Sequence, residues 1–162
     1  MKLLMVCLGN ICRSPMAEGV LRHHLQHSPL AAQVQVDSAG TGDWHRGEPP
    51  DPRAIACARR HGVDISRLRA RSLCDADFAA FDWILCADAS NLQDVRRRAP
   101  VAARAQMALW LPWAGVAAGE EIPDPYTGDS VHFERVWRLV DEAAVGSVAR
   151  LFVTLDSGII DR

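Results

Sequence analysis

From the amino terminus, Leu3 to Leu8 form an unbroken apolar run that stops at Gly9-Asn10. A short run without polar alternation fits a strand covered on both faces. Ser14-Pro15 then opens a helical pattern: Ser14 suits the N-cap, Pro15 the first helical position and Glu18 the first turn. Met16, Val20, Leu21 and Leu25 recur behind them at helical spacing. A short strand is predicted from Gln33 to Val36, ending at Asp37-Ser38-Ala39-Gly40. Gly and Pro clusters make Thr41 to Pro52 a loop, and helix returns from Pro52 to Arg60, stopping at His61-Gly62.

Phe81 to Ala87 reads as a third buried strand, Asn91 to Arg98 as a polar helix ended by Pro100, and Gln106 to Leu111 as a fourth strand. After a Pro/Gly loop from Ile122 to Asp129, His132 to about Val153 places Phe133, Val136, Val140, Ala144, Val148 and Leu151 on one helical stripe. Strands alternating with helices predict a three-layer α/β fold, with a four-stranded parallel twisted sheet and helices on both faces. Ligands of such sheets sit beyond the carboxyl ends of the strands, so the loop after the first strand is the expected site. No repeat, linker or low-complexity tract interrupts residues 1–162, which read as one domain.

Composition narrows the class without defining it. Eighteen Lys plus Arg against twenty Asp plus Glu leave a net charge of -2, not the basic excess of a nucleic-acid or membrane-surface binder. The apolar run at the amino terminus is too short for a signal core of roughly 7–15 residues. Five cysteines, odd in number and lying mostly in apolar runs, suit a reducing cytoplasm better than a disulfide scaffold. There is no Cys-x-x-Cys and the histidines are scattered, so neither a metal nor another cofactor is expected.

The chemistry lies in Cys7-Leu8-Gly9-Asn10-Ile11-Cys12-Arg13-Ser14, which has a nucleophile, five intervening residues, an arginine and a hydroxyl at a helix start. Five residues suffice to wrap backbone N–H groups around an anion. Gly9 eases the turn, Asn10 tolerates unusual backbone angles, and the helix start adds its positive end. Arg13 offers a fork matching two phosphate oxygens. The same field favours a thiolate at Cys7, with Ser14 donating to it, and a thiolate beneath a tetrahedral anion is a nucleophile for phosphorus. Gly-Lys-Ser/Thr is missing, which excludes a Walker-type nucleotide loop.

Val6 to Pro15 resembles the signature of the low-molecular-weight protein tyrosine phosphatases of bacterial type. The likeness continues in order through Asp37-Ser38-Ala39-Gly40-Thr41, Trp44 with Gly47, Pro50 to Ala54, Arg69-Ala70-Arg71, the segment from Phe81-Asp82 through Ser90-Asn91-Leu92, and Pro123-Asp124-Pro125-Tyr126. The resemblance implies hydrolysis of phosphotyrosine and aryl phosphate monoesters through a cysteinyl-phosphate on Cys7. Arg13 would bind the phosphoryl group, and Asp124 would act as general acid and then base. Leu8, Gly9, Asn10, Ile11, Cys12 and Ser14 would contact substrate through the loop, with Trp44 and Tyr126 as aromatic walls and Ser38 and Asn10 bracing the loop by hydrogen bonds. It implies phosphotyrosine proteins as partners, with a bacterial tyrosine kinase among them, and a Cys12 close enough to Cys7 for a reversible disulfide.

Two departures stand out: Leu68 replaces a histidine often found before Arg69-Ala70-Arg71, and Thr127 replaces a second tyrosine after Tyr126. Cys57, Cys74 and Cys86 read as structural. A rival resemblance, to thioredoxin-coupled arsenate reductases, needs two relay cysteines, and none follows Cys86.

Overall fold

The computed structural model describes residues 1–158, so the last four residues of the expected 1–162 domain lie outside the described residues. In chain order the elements are β1 (Lys2–Cys7), α1 (Arg13–Gln26), β2 (Gln35–Gly40), α2 (Pro52–Arg60), α3 (Asp77–Ala80), β3 (Trp83–Cys86), α4 (Ala89–Arg98), β4 (Gln106–Leu109), α5 (Trp110–Trp113) and α6 (Ser130–Asp156). The strands run parallel in the order β2-β1-β3-β4.

The apolar run of β1 feeds two cores on opposite faces of the sheet. Leu3, Met5 and Cys7 join the cluster under α1 and α6, whereas Leu4 and Val6 join Phe78, Ile84, Leu92 and Val95 under α3 and α4. Period-two alternation is therefore present in space, though both faces are apolar. The α6 stripe is buried as expected, with Val148 only partly so. It also carries a buried hydroxyl: Ser147 Oγ donates to Ala143 O and accepts from Trp110 Nε1 at 2.9 Å.

Several boundaries differ from expectation, each for a tertiary reason. β2 starts later and runs through the supposed stop Asp37 to Gly40, because pairing with β1 holds Met5 opposite Ser38 and Cys7 opposite Gly40. β4 ends at Leu109, where the chain turns helical and buries Trp110. The four-residue α3 carries no sequence signal of its own. Ser14 is not the N-cap: α1 begins at Arg13, and its cap residue Cys12 makes no side-chain capping bond. Asp51 does cap α2, accepting from Arg53 N, and Gly62 at φ +80° follows its end. Among the described residues no helix is long and apolar enough to cross a membrane.

Candidate active site

Cys7 ends β1, and residues 8–12 turn before α1 at the carboxyl end of the sheet. The turn is set by Asn10 at φ 55°, the left-handed region that a short polar side chain tolerates. Gly9 is not the positive-φ residue; its exposed side is instead crowded by His45, whose ring would lie 3.1 Å from an added Cβ. Gly40 must also be small, since a Cβ there would sit 2.7 Å from Leu8 O.

Cys7, Leu8, Gly9, Ile11, Cys12, Arg13, Trp44, His45, Asp124 and Tyr126 line a cleft of about 170 Å³. A larger hollow of about 470 Å³ opens between Lys2, Arg22 and Phe81, but it contains neither cysteine nor histidine. Nine of the residues expected from the sequence thus meet around one space. Asn10 and Ser14 are the exceptions: their side chains are turned behind the loop, 3% and 2% exposed.

Behind the loop they form a chain of hydrogen bonds. Ser14 Oγ lies 3.0 Å from Cys7 Sγ and accepts from Asn10 Nδ2 at 2.8 Å. Asn10 Nδ2 also donates to Ser38 Oγ at 2.9 Å, and Ser38 donates to the buried Glu18 carboxylate at 2.6 Å. With Nδ2 supplying a proton to Ser14 Oγ, the hydroxyl hydrogen is left to point at sulfur. Asn10 Oδ1 accepts from Arg71 N, so the segment after Leu68 braces the loop through its backbone. Leu68 itself packs against the core. Burial raises the Glu18 carboxyl pKa, even though Ser38 and Arg22 oppose the shift.

Arg13 is buried and held on one edge. Its Nη1 donates to Asp88 Oδ2 at 2.6 Å and to Ile122 O at 2.9 Å, leaving Nη2 3.7 Å from Asp124 Oδ2. Burial works against its charge, but Cys7, Asp88 and Asp124 outweigh that and raise the guanidinium pKa. Burial, then the charges of Asp51 and Cys7, push the Cys12 thiol far above its ordinary range. Cys86, buried at the end of β3, is pushed up to about 12 by desolvation, then by Asp88.

The rim is looser. Trp44 is 68% and Tyr126 51% exposed, and the indole lies over Gly42, where a Cβ would come within 1.9 Å of it. Asp124 Oδ1 accepts from Tyr126 N at 3.1 Å. Arg53, itself bound to Asp51, donates to Tyr126 O and Gly128 O and so ties this loop to the start of α2. His45 Nδ1 pairs with Glu48 at 2.8 Å.

Asp88, Glu18, His45 and Arg53 had not been expected in or around the site. Asp51 and Arg53 lay inside a segment noted as family-like; for Asp88 no local signal existed, since its partner is 75 residues away.

A parallel α/β sheet whose first strand ends in a cysteine, followed by a Cys-x5-Arg loop and facing a carboxylate, defines a cysteine-dependent phosphatase of the phosphate-loop class. The model of the low molecular weight phosphotyrosine protein phosphatase family matches residues 2–155. A phosphatase of that name from Schizosaccharomyces pombe is 42% identical over 133 residues, covering 82% of this chain and 85% of its own. The crystal structure of a protein tyrosine phosphatase from Entamoeba histolytica, with Hepes in its active site, superposes with a TM-score of 0.87 at 33% identity, covering 98% of both chains. Vibrio vulnificus Wzb in complex with benzylphosphonate gives a TM-score of 0.79 at 33% identity, covering 92% of this chain and 97% of its own. The chain belongs to the low molecular weight phosphotyrosine protein phosphatase family, hydrolases that work through a cysteinyl-phosphate.

Proposed function

We propose that this chain, acting as one domain in the cytoplasm, hydrolyses phosphotyrosine in proteins, with Cys7, Arg13 and Asp124 as its catalytic residues. The observation that carries the reading is the placement of Cys7 Sγ and the free edge of Arg13 around one small cleft whose mouth holds Asp124. The phosphoryl group sits in the loop, with two oxygens on Arg13. The Cys7 thiolate attacks phosphorus; the S–P bond forms as the P–O bond to the aryl group breaks, and Asp124 gives its proton to the departing oxygen. Water then attacks phosphorus, Asp124 takes its proton, the S–P bond breaks and inorganic phosphate leaves.

Ile11 and Leu8 line the cleft beside Trp44 and Tyr126 and favour a flat apolar ring above the phosphate. The binding of benzylphosphonate by the Vibrio vulnificus relative supports the same preference. The five cysteines are all unpaired, which suits a reducing compartment. A tyrosine kinase carrying phosphotyrosine falls within the substrate class.

The test is a panel of phosphopeptides carrying phosphotyrosine, phosphoserine, phosphothreonine or phosphoarginine, with acid-quenched enzyme examined by mass spectrometry. Phosphotyrosine should be preferred by at least about 100-fold in kcat/KM, and Cys7 should carry the phosphate. Preference for another residue, or a phosphate mass on any other side chain, refutes the assignment.

A further inference from the structure

Cys57, His61 and Glu134 lie outside the phosphatase cleft, and none of the three lines it. Cys57 and His61 are one helical turn apart, at the end of α2 and in the residue that caps it. Spacing i, i+4 puts both side chains on the same face. α6 packs against this face and presents Glu134 from its first turns. The sulfur, imidazole and carboxylate ligand atoms all lie within 4.8 Å of one another.

The distances suit a small tetrahedral cation. Bonds of about 2.3 Å to sulfur and about 2.0 Å to oxygen or nitrogen put tetrahedral ligand atoms roughly 3.3–3.5 Å apart. Cys57 Sγ is 3.5 Å from Glu134 Oε1, and His61 Nε2 is 2.8 Å from Oε2, so the first pair already has the spacing and the second must open slightly. The imidazole is already oriented: it stacks on Trp137 at 5.0 Å between centroids with an interplanar angle of 11°. His61 and Glu134 are partly exposed, leaving a route in and room for a water. Thiolate, imidazole and carboxylate together select zinc-like cations over magnesium or calcium.

One neighbour opposes binding. Arg60 donates from Nε and Nη2 to Glu134 Oε1, at 2.9 and 2.7 Å, and its charge competes with a cation. The cation must also displace the Cys57 proton, which passes to solvent as the S–metal bond forms.

We propose that Cys57, His61 and Glu134 form a zinc-class site, its fourth position open to water, that clamps α2 to α6. α2 holds the Asp124–Gly128 loop at its other end through Arg53, so the clamp stabilises an element that supports the site without touching the reacting atoms.

The test is titration of the full chain with Co2+, read by the near-ultraviolet thiolate-to-cobalt charge-transfer absorption, alongside melting with and without Zn2+. One equivalent of Co2+ should give the band, and Zn2+ should raise Tm by several degrees with kcat unchanged. Cys7→Ser should keep both effects; Cys57→Ser and the more exposed His61→Asn should each lose them. Arg60→Gln should bind about tenfold more tightly, by relief of charge repulsion. The proposal is overturned if wild type shows no band, if the band survives His61→Asn, or if it disappears with Cys7→Ser, which would assign the metal to the phosphate cleft.

Discussion

Cys7, Asn10, Arg13 and Ser14 are each 3% exposed or less, whereas Trp44 and Tyr126, across the same cleft, are 68% and 51% exposed. The floor side chains are held by hydrogen bonds that are buried or partly so: Ser14 by Asn10, Asn10 by Ser38 and Arg71, Arg13 by Asp88. The rim hangs on fewer ties, chiefly Arg53 and the Asp124 turn. The floor binds something invariant, a tetrahedral anion, and gains from fixed donors that need no reorganisation. The rim meets whatever carries the phosphate, and its exposure leaves room to adapt. Substitutions in the floor should therefore damage chemistry and stability together, while those in the rim should separate them.

Cys7→Ser should have the largest effect, a loss of turnover on the order of 10⁵-fold with phosphate binding retained. Isothermal titration with phosphate beside a hydrolysis assay would show it, and appreciable residual hydrolysis would mean another nucleophile. Asp124→Ala is the rim's exception. It should slow poor leaving groups by about 10²–10³-fold, spare good ones such as p-nitrophenol, and leave Tm nearly unchanged. Uniform losses across a leaving-group series would remove Asp124 from the acid role.

Asn10→Ala should weaken folding by about 2–4 kcal/mol, because two donated bonds and one accepted bond vanish at a left-handed position. Urea unfolding measures this; a loss comparable to that of a rim substitution would dissolve the contrast.

Glu18 sharpens it through pH. Burial raises its folded pKa above the unfolded value of about 4.3, so its protonated form is favoured by folding. That contribution is fully present below about pH 4.3 and is lost as pH rises through the raised folded value. Glu18→Gln should flatten that decline in urea midpoints across the window, and an unaltered slope would show that another group sets it. The smallest effect belongs to Trp44→Ala, a several-fold rise in KM for aryl substrates with stability within about 0.5 kcal/mol.

How much of this could be read from the chain depends on distance along it. The strand, loop and helix around Cys7 to Ser14 were legible because the turn, the nucleophile and the guanidinium are neighbours in sequence. Asp124 and Tyr126 were found only through likeness to a family, since Asp-Pro in a loop has no chemistry of its own. Within the loop, the approach of Ser14 to Cys7 and the bracing by Asn10 were legible, but that both side chains turn behind the loop was not, because the path of the loop, not residue type, decides which side chains face the cleft.

The sequence alone determined the alternation of strands and helices, the α6 stripe and the anion-binding character of the first loop, because hydrophobic periodicity and local turn chemistry act over a few residues. Tertiary structure decided that β2 extends through Gly40 and that Arg13 is fastened to Asp88. It also decided that Ser38 answers to Glu18 and that Glu134, 73 residues beyond His61, completes a cluster with Cys57. Those outcomes depend on crossovers that fold distant segments onto the same edge or face, and no window of local pattern records which segment will arrive.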